Sequence, residues 1–176
     1  QYAGVVGKVD NCQVGVYASL VWHSRTTLIN TRLYLPEGWT GDATRCDKAG
    51  IPEDARVQKT KPQLALDMLK ADMANGVRFG WVGGDGLYGH GYDLSYAVDD
   101  LGLTFLFDVH CDQSVYLNEP SIFVPEKKPG RGRTPTRPKT DAQPITVKAY
   151  QEGLCDEDWQ DVTVRDTTKG VLTLGM

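Results

Sequence analysis

Long apolar runs are what this sequence most lacks. Stretches such as Leu103 to Phe107 fall far short of the roughly 20 consecutive residues that a membrane-crossing helix needs, so no bilayer span is expected. A secretory leader is missing too, since Gln1 to Asp10 carries neither a basic start nor an apolar stretch. There is no initiating Met, from which residues upstream of Gln1 are expected. Close cysteine pairs are absent: Cys12, Cys46, Cys111 and Cys155 are widely scattered, and none shows zinc-knuckle or redox-couple spacing. Reduced thiols are the expectation, and because disulfides are rare in reducing compartments this goes with a cytoplasmic address. Nor is there an excess of positive charge. With 19 basic and 23 acidic residues the net charge is -4, which argues against a protein that coats nucleic acid by bulk charge.

What is there begins with 176 residues, 40% of them hydrophobic, enough for one domain with a substantial core or for a core plus a small appendage. Cys12 to Trp22 alternates, with Val14, Val16, Ala18, Leu20 and Trp22 on one side and Gln13, Tyr17 and Ser19 on the other, the pattern of a strand. After a polar turn at His23-Ser24-Arg25-Thr26, Thr27 to Leu35 carries Ile29, Leu33 and Leu35 on one face and stops at Pro36, which predicts an antiparallel hairpin. From Glu37 to Lys61 no period is sustained, so a long loop with one helical turn is expected. Pro62 then opens a helix with Leu64, Ala65, Met68 and Leu69 as its buried stripe and Gly76 as its left-handed cap. Phe79 to Gly84 predicts a short buried strand that ends at Asp85. A second helix has Leu94, Ala97, Val98 and Leu101 at i, i+3, i+4 and i+7 and stops at Gly102. Leu103 to Val109 predicts another buried strand. The order hairpin, helix, strand, helix, strand implies an α/β fold with a mixed sheet flanked by helices.

Downstream, the positive charge concentrates. Lys127, Lys128, Arg131, Arg133, Arg137 and Lys139 share one stretch with Pro129, Pro135 and Pro138, a composition that favours a mobile basic loop over a helix or strand. Such a loop either contacts a DNA backbone or is a solvated linker. Ile145 to Tyr150, Trp159 to Arg165 and Val171 to Leu174 then read as short strands, the last two joined by a turn at Thr167-Thr168-Lys169-Gly170.

The segment Gly83-Gly84-Asp85-Gly86-Leu87-Tyr88-Gly89 places a carboxylate after an apolar strand among residues that permit close approach to the backbone. Carboxylates at strand ends suit Mg²⁺, a hard cation that takes oxygen ligands and keeps several waters. Read locally, Asp85 equally fits a helix cap or an Asp-Gly turn. His23, His90 and His110 do not pair at metal-ligand spacings, and His90 reads as a surface or helix-start residue near Asp85. Asp108-Val109-His110-Cys111-Asp112 reads as a solvated rim rather than a metal site. Trp22, Trp39, Trp81 and Trp159 are expected to pack in the core or the downstream strands rather than to stack on bases.

Several spaced motifs carry a wider likeness. Gly7-Lys8-Val9-Asp10-Asn11-Cys12-Gln13, Arg32-Leu33-Tyr34-Leu35-Pro36, Thr60-Lys61-Pro62 and Gly80-Trp81-Val82-Gly83-Gly84-Asp85-Gly86-Leu87-Tyr88-Gly89 together resemble the DDE superfamily transposases of bacterial insertion sequences. The resemblance implies an RNase H-like catalytic domain in which two Asp and one Glu gather around divalent Mg²⁺ or Mn²⁺. A β-rich insertion would lie between the second Asp and the Glu. By its place in the motif Asp85 resembles the second Asp, and the strands after residue 140 resemble the insertion. Residues 1–118 would then be part of the core, and residues 119–176 the basic loop and insertion, with Lys127, Lys128, Arg131, Arg133, Arg137 and Lys139 near transposon-end DNA.

The pattern is incomplete at both ends. The first Asp is expected on a strand upstream of Gln1 and the Glu on a helix beyond Met176. Asp10 lies in the motif that follows the catalytic strand and is not its substitute; Glu119, Glu126, Glu152 and Glu157 precede or sit within the insertion and are not the Glu. The implied chemistry is hydrolysis at a transposon end to expose a 3′ hydroxyl, then attack of that hydroxyl on target DNA. Double-stranded DNA, as transposon end and as target, is the implied partner, with a homodimer as one assembly this allows and the bacterial nucleoid as the place of action. Residues 1–176 alone are expected to bind metal weakly and not to cut DNA. The rival from another class is a non-catalytic DNA-binding or assembly module that keeps the fold; whether two further carboxylates accompany Asp85 separates the two.

Overall fold

The computed structural model describes residues 2–3, 7–9, 12–127, 129–130, 132–168 and 170–175. The chain divides into two compact units, Gln1–Val109 and His110–Met176. Asp10, Lys128, Arg131 and Lys169 lie outside the described residues.

In the first unit β1 (Tyr2–Ala3) pairs antiparallel with β2 (Lys8–Val9). The expected hairpin follows as β3 (Val14–Trp22) and β4 (Arg25–Tyr34), with Trp22 opposite Arg25, so the turn is confined to His23-Ser24. His23 takes a φ of 53° there, a left-handed conformation in which His is less penalised than most side chains. Alternation holds along β3 as far as Leu20: Val16 is buried while Tyr17 and Ser19 are exposed. The inward face predicted for β4 is wrong in part. Ala18 pairs with Asn30 but Ser19 pairs with Leu28, so Ile29 is an extra residue, and such a bulge inverts which residues face the core. Tyr34 therefore packs against Val16, Leu64 and Met68, whereas Leu33 is exposed.

The stretch expected to be a loop holds more structure than one turn: α1 (Glu37–Thr40), α2 (Ala43–Lys48) and a 3-10 turn at Glu53–Ala55. These pieces are too short to display a 3.6-residue period, and local bonds hold them. Asp42 caps α2 through the Arg45 N–H at 2.9 Å, the Arg45 guanidinium lies 3.9 Å from the Trp39 ring centre, and the fully buried Cys46 thiol donates to the Trp39 carbonyl.

The long helix α3 (Lys61–Ala74) starts as its sequence dictates. Thr60 accepts from the Gln63 N–H while the Gln63 side chain accepts from the Thr60 N–H, a reciprocal capping box with Pro62 in the first turn. It ends in a Schellman pair, Val77 N–H to the Asp72 carbonyl and Gly76 N–H to the Met73 carbonyl, with Gly76 at a φ of 82°. β5 (Trp81–Gly84), α4 (Gly86–Gly89), α5 (Tyr92–Asp100) and β6 (Thr104–Phe107) follow. Gly102, at a φ of 73°, closes α5 in the same way as Gly76 closes α3. Two apolar clusters form the core: Val16, Leu64 and Met68, and Leu94, Val98 and Leu103. Burying a side chain as completely as Met68 or Val98 contributes on the order of 1.5–3 kcal/mol.

β5 and β6 are parallel, in register from Trp81 opposite Thr104 to Gly84 opposite Phe107. The class is mixed α/β, but among the described residues the hairpin and the parallel pair are separate two-stranded sheets. Neither β5 nor β6 is buried as expected, with Trp81 72% and Leu106 69% exposed. A parallel pair is ordinarily covered on both faces, and here the face that carries Trp81 and Leu106 is exposed.

The second unit contains β7 (Ser114–Val115), β8 (Ile122–Phe123), β9 (Lys139–Thr140), β10 (Ile145–Thr146), α6 (Val147–Glu152), a 3-10 turn at Asp156–Asp158, β11 (Asp161–Thr167) and β12 (Gly170–Gly175). β7 pairs with β10, β8 with β9 and β11 with β12, all antiparallel. The strand expected at Ile145 to Tyr150 is mostly helix, because the Thr146 hydroxyl caps the Ala149 N–H at 3.1 Å and good helix formers follow as far as Gly153. The basic stretch is not wholly loop either, since Lys139 is the first residue of β9.

Candidate functional site

Asp85 stands at the carboxyl end of β5, where the sequence placed it. It is exposed, and its Oδ1 accepts the Leu87 N–H at 3.0 Å, so it caps α4. Its main-chain carbonyl accepts from the Tyr88 N–H at 2.9 Å. The capping role and a ligand role are compatible, because the cap occupies one carboxylate oxygen and, among the described residues, Oδ2 has no donor. Tyr88 is half-buried beside it. Burial first, and the Asp85 charge second, push the Tyr88 hydroxyl above its ordinary value near 10.

Two of the glycines around Asp85, Gly84 and Gly89, serve the protein's own packing, which the sequence does not reveal. A Cβ on Gly84 would come within 3.0 Å of the Phe107 ring and 3.1 Å of Tyr88. A Cβ on Gly89 would collide with the Asp108 carbonyl oxygen, so α4 and the end of β6 meet backbone to backbone. The parallel register sets Asp108 beside Asp85, each one residue past its strand, and the Asp108 N–H donates to the Gly84 carbonyl at 3.0 Å. The signal for this adjacency is faint in sequence: two short apolar runs, each followed at once by Asp.

Asp108, Val109, His110, Cys111 and Asp112 are all exposed, as a solvated rim should be, and His90 is exposed between α4 and α5. Among the described residues no group of three or more His, Cys, Asp or Glu side chains is placed to hold a metal ion. Asp85 fits as one oxygen ligand, but a single carboxylate does not close a site. Glu119, Glu126, Glu152 and Glu157 are exposed in the second unit, with Glu152 3.8 Å from Lys148 on the same helix. Of the basic stretch, Lys127, Arg133, Arg137 and Lys139 are described and exposed, in the second unit, whereas Asp85 belongs to the first. The tryptophans depart from expectation: Trp22 and Trp81 are each 72% exposed and belong to no core cluster.

Residues 1–171 match the family described as DDE superfamily endonuclease. The chain belongs to that family. Comparison with curated proteins and with solved structures returned no match. The DDE superfamily match runs through both units and includes Asp85 and the whole basic stretch. DDE superfamily endonucleases act on DNA, and membership in the family suggests a nuclease-type function. Among the described residues of this DDE domain no helix is long and apolar enough to cross a membrane.

Proposed function

We propose that this DDE superfamily domain is part of the catalytic domain of a cut-and-paste DNA transposase of the insertion-sequence type, acting on transposon ends and target DNA. The observation that carries the reading is the position of Asp85, exposed at the carboxyl end of β5 inside the segment that matches the family. The order hairpin, helix, strand, helix, strand supports an RNase H-like arrangement. The second unit includes residues 119–176, read as the basic stretch and β-rich insertion.

In this reading Asp85 is one carboxylate ligand of Mg²⁺ or Mn²⁺, and the family's other Asp and its Glu come from outside residues 1–176. When bound, the metal would neutralise charge on the phosphate and activate the attacking oxygen. The chain's own part is to fix the carboxylate. The Leu87 N–H holds Oδ1, and the backbone contact between Gly89 and Asp108 holds the turn that carries Asp85. The basic stretch would take phosphates without reading bases.

Two assays test this. Residues 1–176 with Mg²⁺ or Mn²⁺ and supercoiled plasmid should give no nicking; robust nicking abolished by Asp85→Ala would overturn the claim that further carboxylates are needed. In the complete reading frame, Asp85→Ala should lower nicking by roughly a thousandfold, because losing a catalytic metal contact costs several kcal/mol. Unchanged nicking would remove Asp85 from the site and favour a DNA-binding or assembly module.

A further inference from the structure

Asp85 is held by the short helix that follows it. Its Oδ1 accepts from the Leu87 N–H at 3.0 Å, and its main-chain carbonyl accepts from the Tyr88 N–H at 2.9 Å and the Gly89 N–H at 3.3 Å. Successive donors of α4 thus converge on one residue, and the carboxylate turns with the helix. A helix as short as Gly86–Gly89 does not hold itself, since isolated helices below about 12–15 residues are marginal in water, and none of its residues is buried. Contacts outside α4 must fix it.

The Tyr88 side chain supplies them. Among the described residues it is the one that packs against both apolar clusters, Val16, Leu64 and Met68 on one hand and Leu94, Val98 and Leu103 on the other. It therefore ties α4 to β3, α3 and α5 at once. The same side chain lies on the end of β5: a Cβ on Gly84 would come within 3.1 Å of the Tyr88 Cβ and Cδ2 atoms. The residue before Asp85 and the helix after it are thus packed on one aromatic side chain, whose hydroxyl is close enough to feel the Asp85 charge.

We propose that Tyr88 is a positioning residue for Asp85: its ring, spanning the two clusters, sets the direction of the carboxylate and so its affinity for a divalent cation. This rests on the reading of Asp85 as a metal ligand. The role belongs to the ring, because the contacts that hold it are apolar and the donor to the carboxylate is the Leu87 N–H. Groups that orient a metal ligand in this way typically tune metal affinity by about 10–100-fold.

The test uses the complete reading frame, labelled with ¹⁵N-leucine, and the variants Tyr88→Phe, Tyr88→Leu and Gly84→Ala; the last crowds the ring without removing it. Two quantities are measured: hydrogen exchange at the Leu87 amide, and the Mn²⁺ concentration that half-saturates the protein, read from the paramagnetic resonance of the free ion. Tyr88→Phe should match the parent in both. Tyr88→Leu and Gly84→Ala should speed exchange at Leu87 and raise the half-saturating Mn²⁺ by about tenfold. If Tyr88→Leu does not fold, Gly84→Ala decides alone. A Tyr88→Phe variant as weak as Tyr88→Leu would overturn the proposal by moving the role to the hydroxyl. Asp85→Ala separates the proposal from the reading beneath it. Mn²⁺ binding lost in Asp85→Ala but unchanged in Tyr88→Leu and Gly84→Ala would overturn positioning alone, whereas parental binding by Asp85→Ala would remove Asp85 from the metal site and overturn both.

Discussion

At the scale of single residues, Asp85 and Tyr88 form the pair whose chemistry is most open to measurement. Burial is the larger cause of the raised Tyr88 hydroxyl and the Asp85 charge the smaller. Asp85→Asn should therefore lower the Tyr88 value without returning it to the ordinary one near 10. Tyrosinate absorbance in alkaline titration, with Tyr88→Phe subtracted, reads this directly; no movement would mean that the carboxylate does not face the ring. The sign for stability is fixed by the same shift. Because the folded value lies above the unfolded one, the stability linked to Tyr88 is complete below the unfolded value and is lost as pH rises through the folded one. Gly89 is the other decisive residue. Gly89→Ala forces a Cβ against the Asp108 carbonyl, so α4 or the end of β6 must shift, and the Asp85 cap with it. The expected outcome is a changed amide shift at Leu87, the donor to Asp85, in a protein that still folds.

At the scale of elements, what was legible in sequence is what is determined locally. α3 and α5 follow from a stripe at helical spacing and a glycine stop, and both ends form as the residues require. Gly102→Ala would place a Cβ at a φ of 73°, costing about 1–2 kcal/mol. Gly38→Ala, inside α1 with nothing near the new atom, should be neutral or stabilising by up to about 1 kcal/mol. Urea denaturation should therefore show Gly102→Ala less stable than Gly38→Ala by at least about 1 kcal/mol, and equal stability of the two would contradict the helix-end assignment. What sequence could not show is non-local or very short. The extra residue at Ile29 is visible only when two strands are paired, and it exchanges Leu33 for Tyr34 on the inner face. α1 and α2 are shorter than the window in which a period can be seen. The strand read at Ile145 to Tyr150 failed because β-branched residues at its start outweighed the cap at Thr146. Trp22 and Trp81 were assigned to a core on their apolar character, but each is 72% exposed on its strand.

At the scale of the whole molecule, charge and family have to be reconciled. A DDE superfamily domain acts on DNA, yet this chain carries a net charge of -4, so its bulk field does not attract a polyanion. Under the proposed function any affinity for DNA would then be local, and the basic stretch is where positive charge is concentrated in the sequence. Lys127, Arg133, Arg137 and Lys139 are exposed, and among the described residues they make no ion pair. If these groups meet phosphates, each contact displaces condensed counterions, and the logarithm of affinity falls with the logarithm of salt by about 0.9 per contact. Replacing Arg131, Arg133 and Arg137 together by Ala should weaken binding to unrelated duplexes by similar factors. It should also flatten the salt dependence by up to about 2.7 in slope, three contacts' worth. Fluorescence anisotropy over a salt series measures both quantities. An unchanged slope would make the stretch a solvated linker and require phosphate contacts elsewhere, whereas a flattened slope with altered sequence preference would mean that these arginines also read bases.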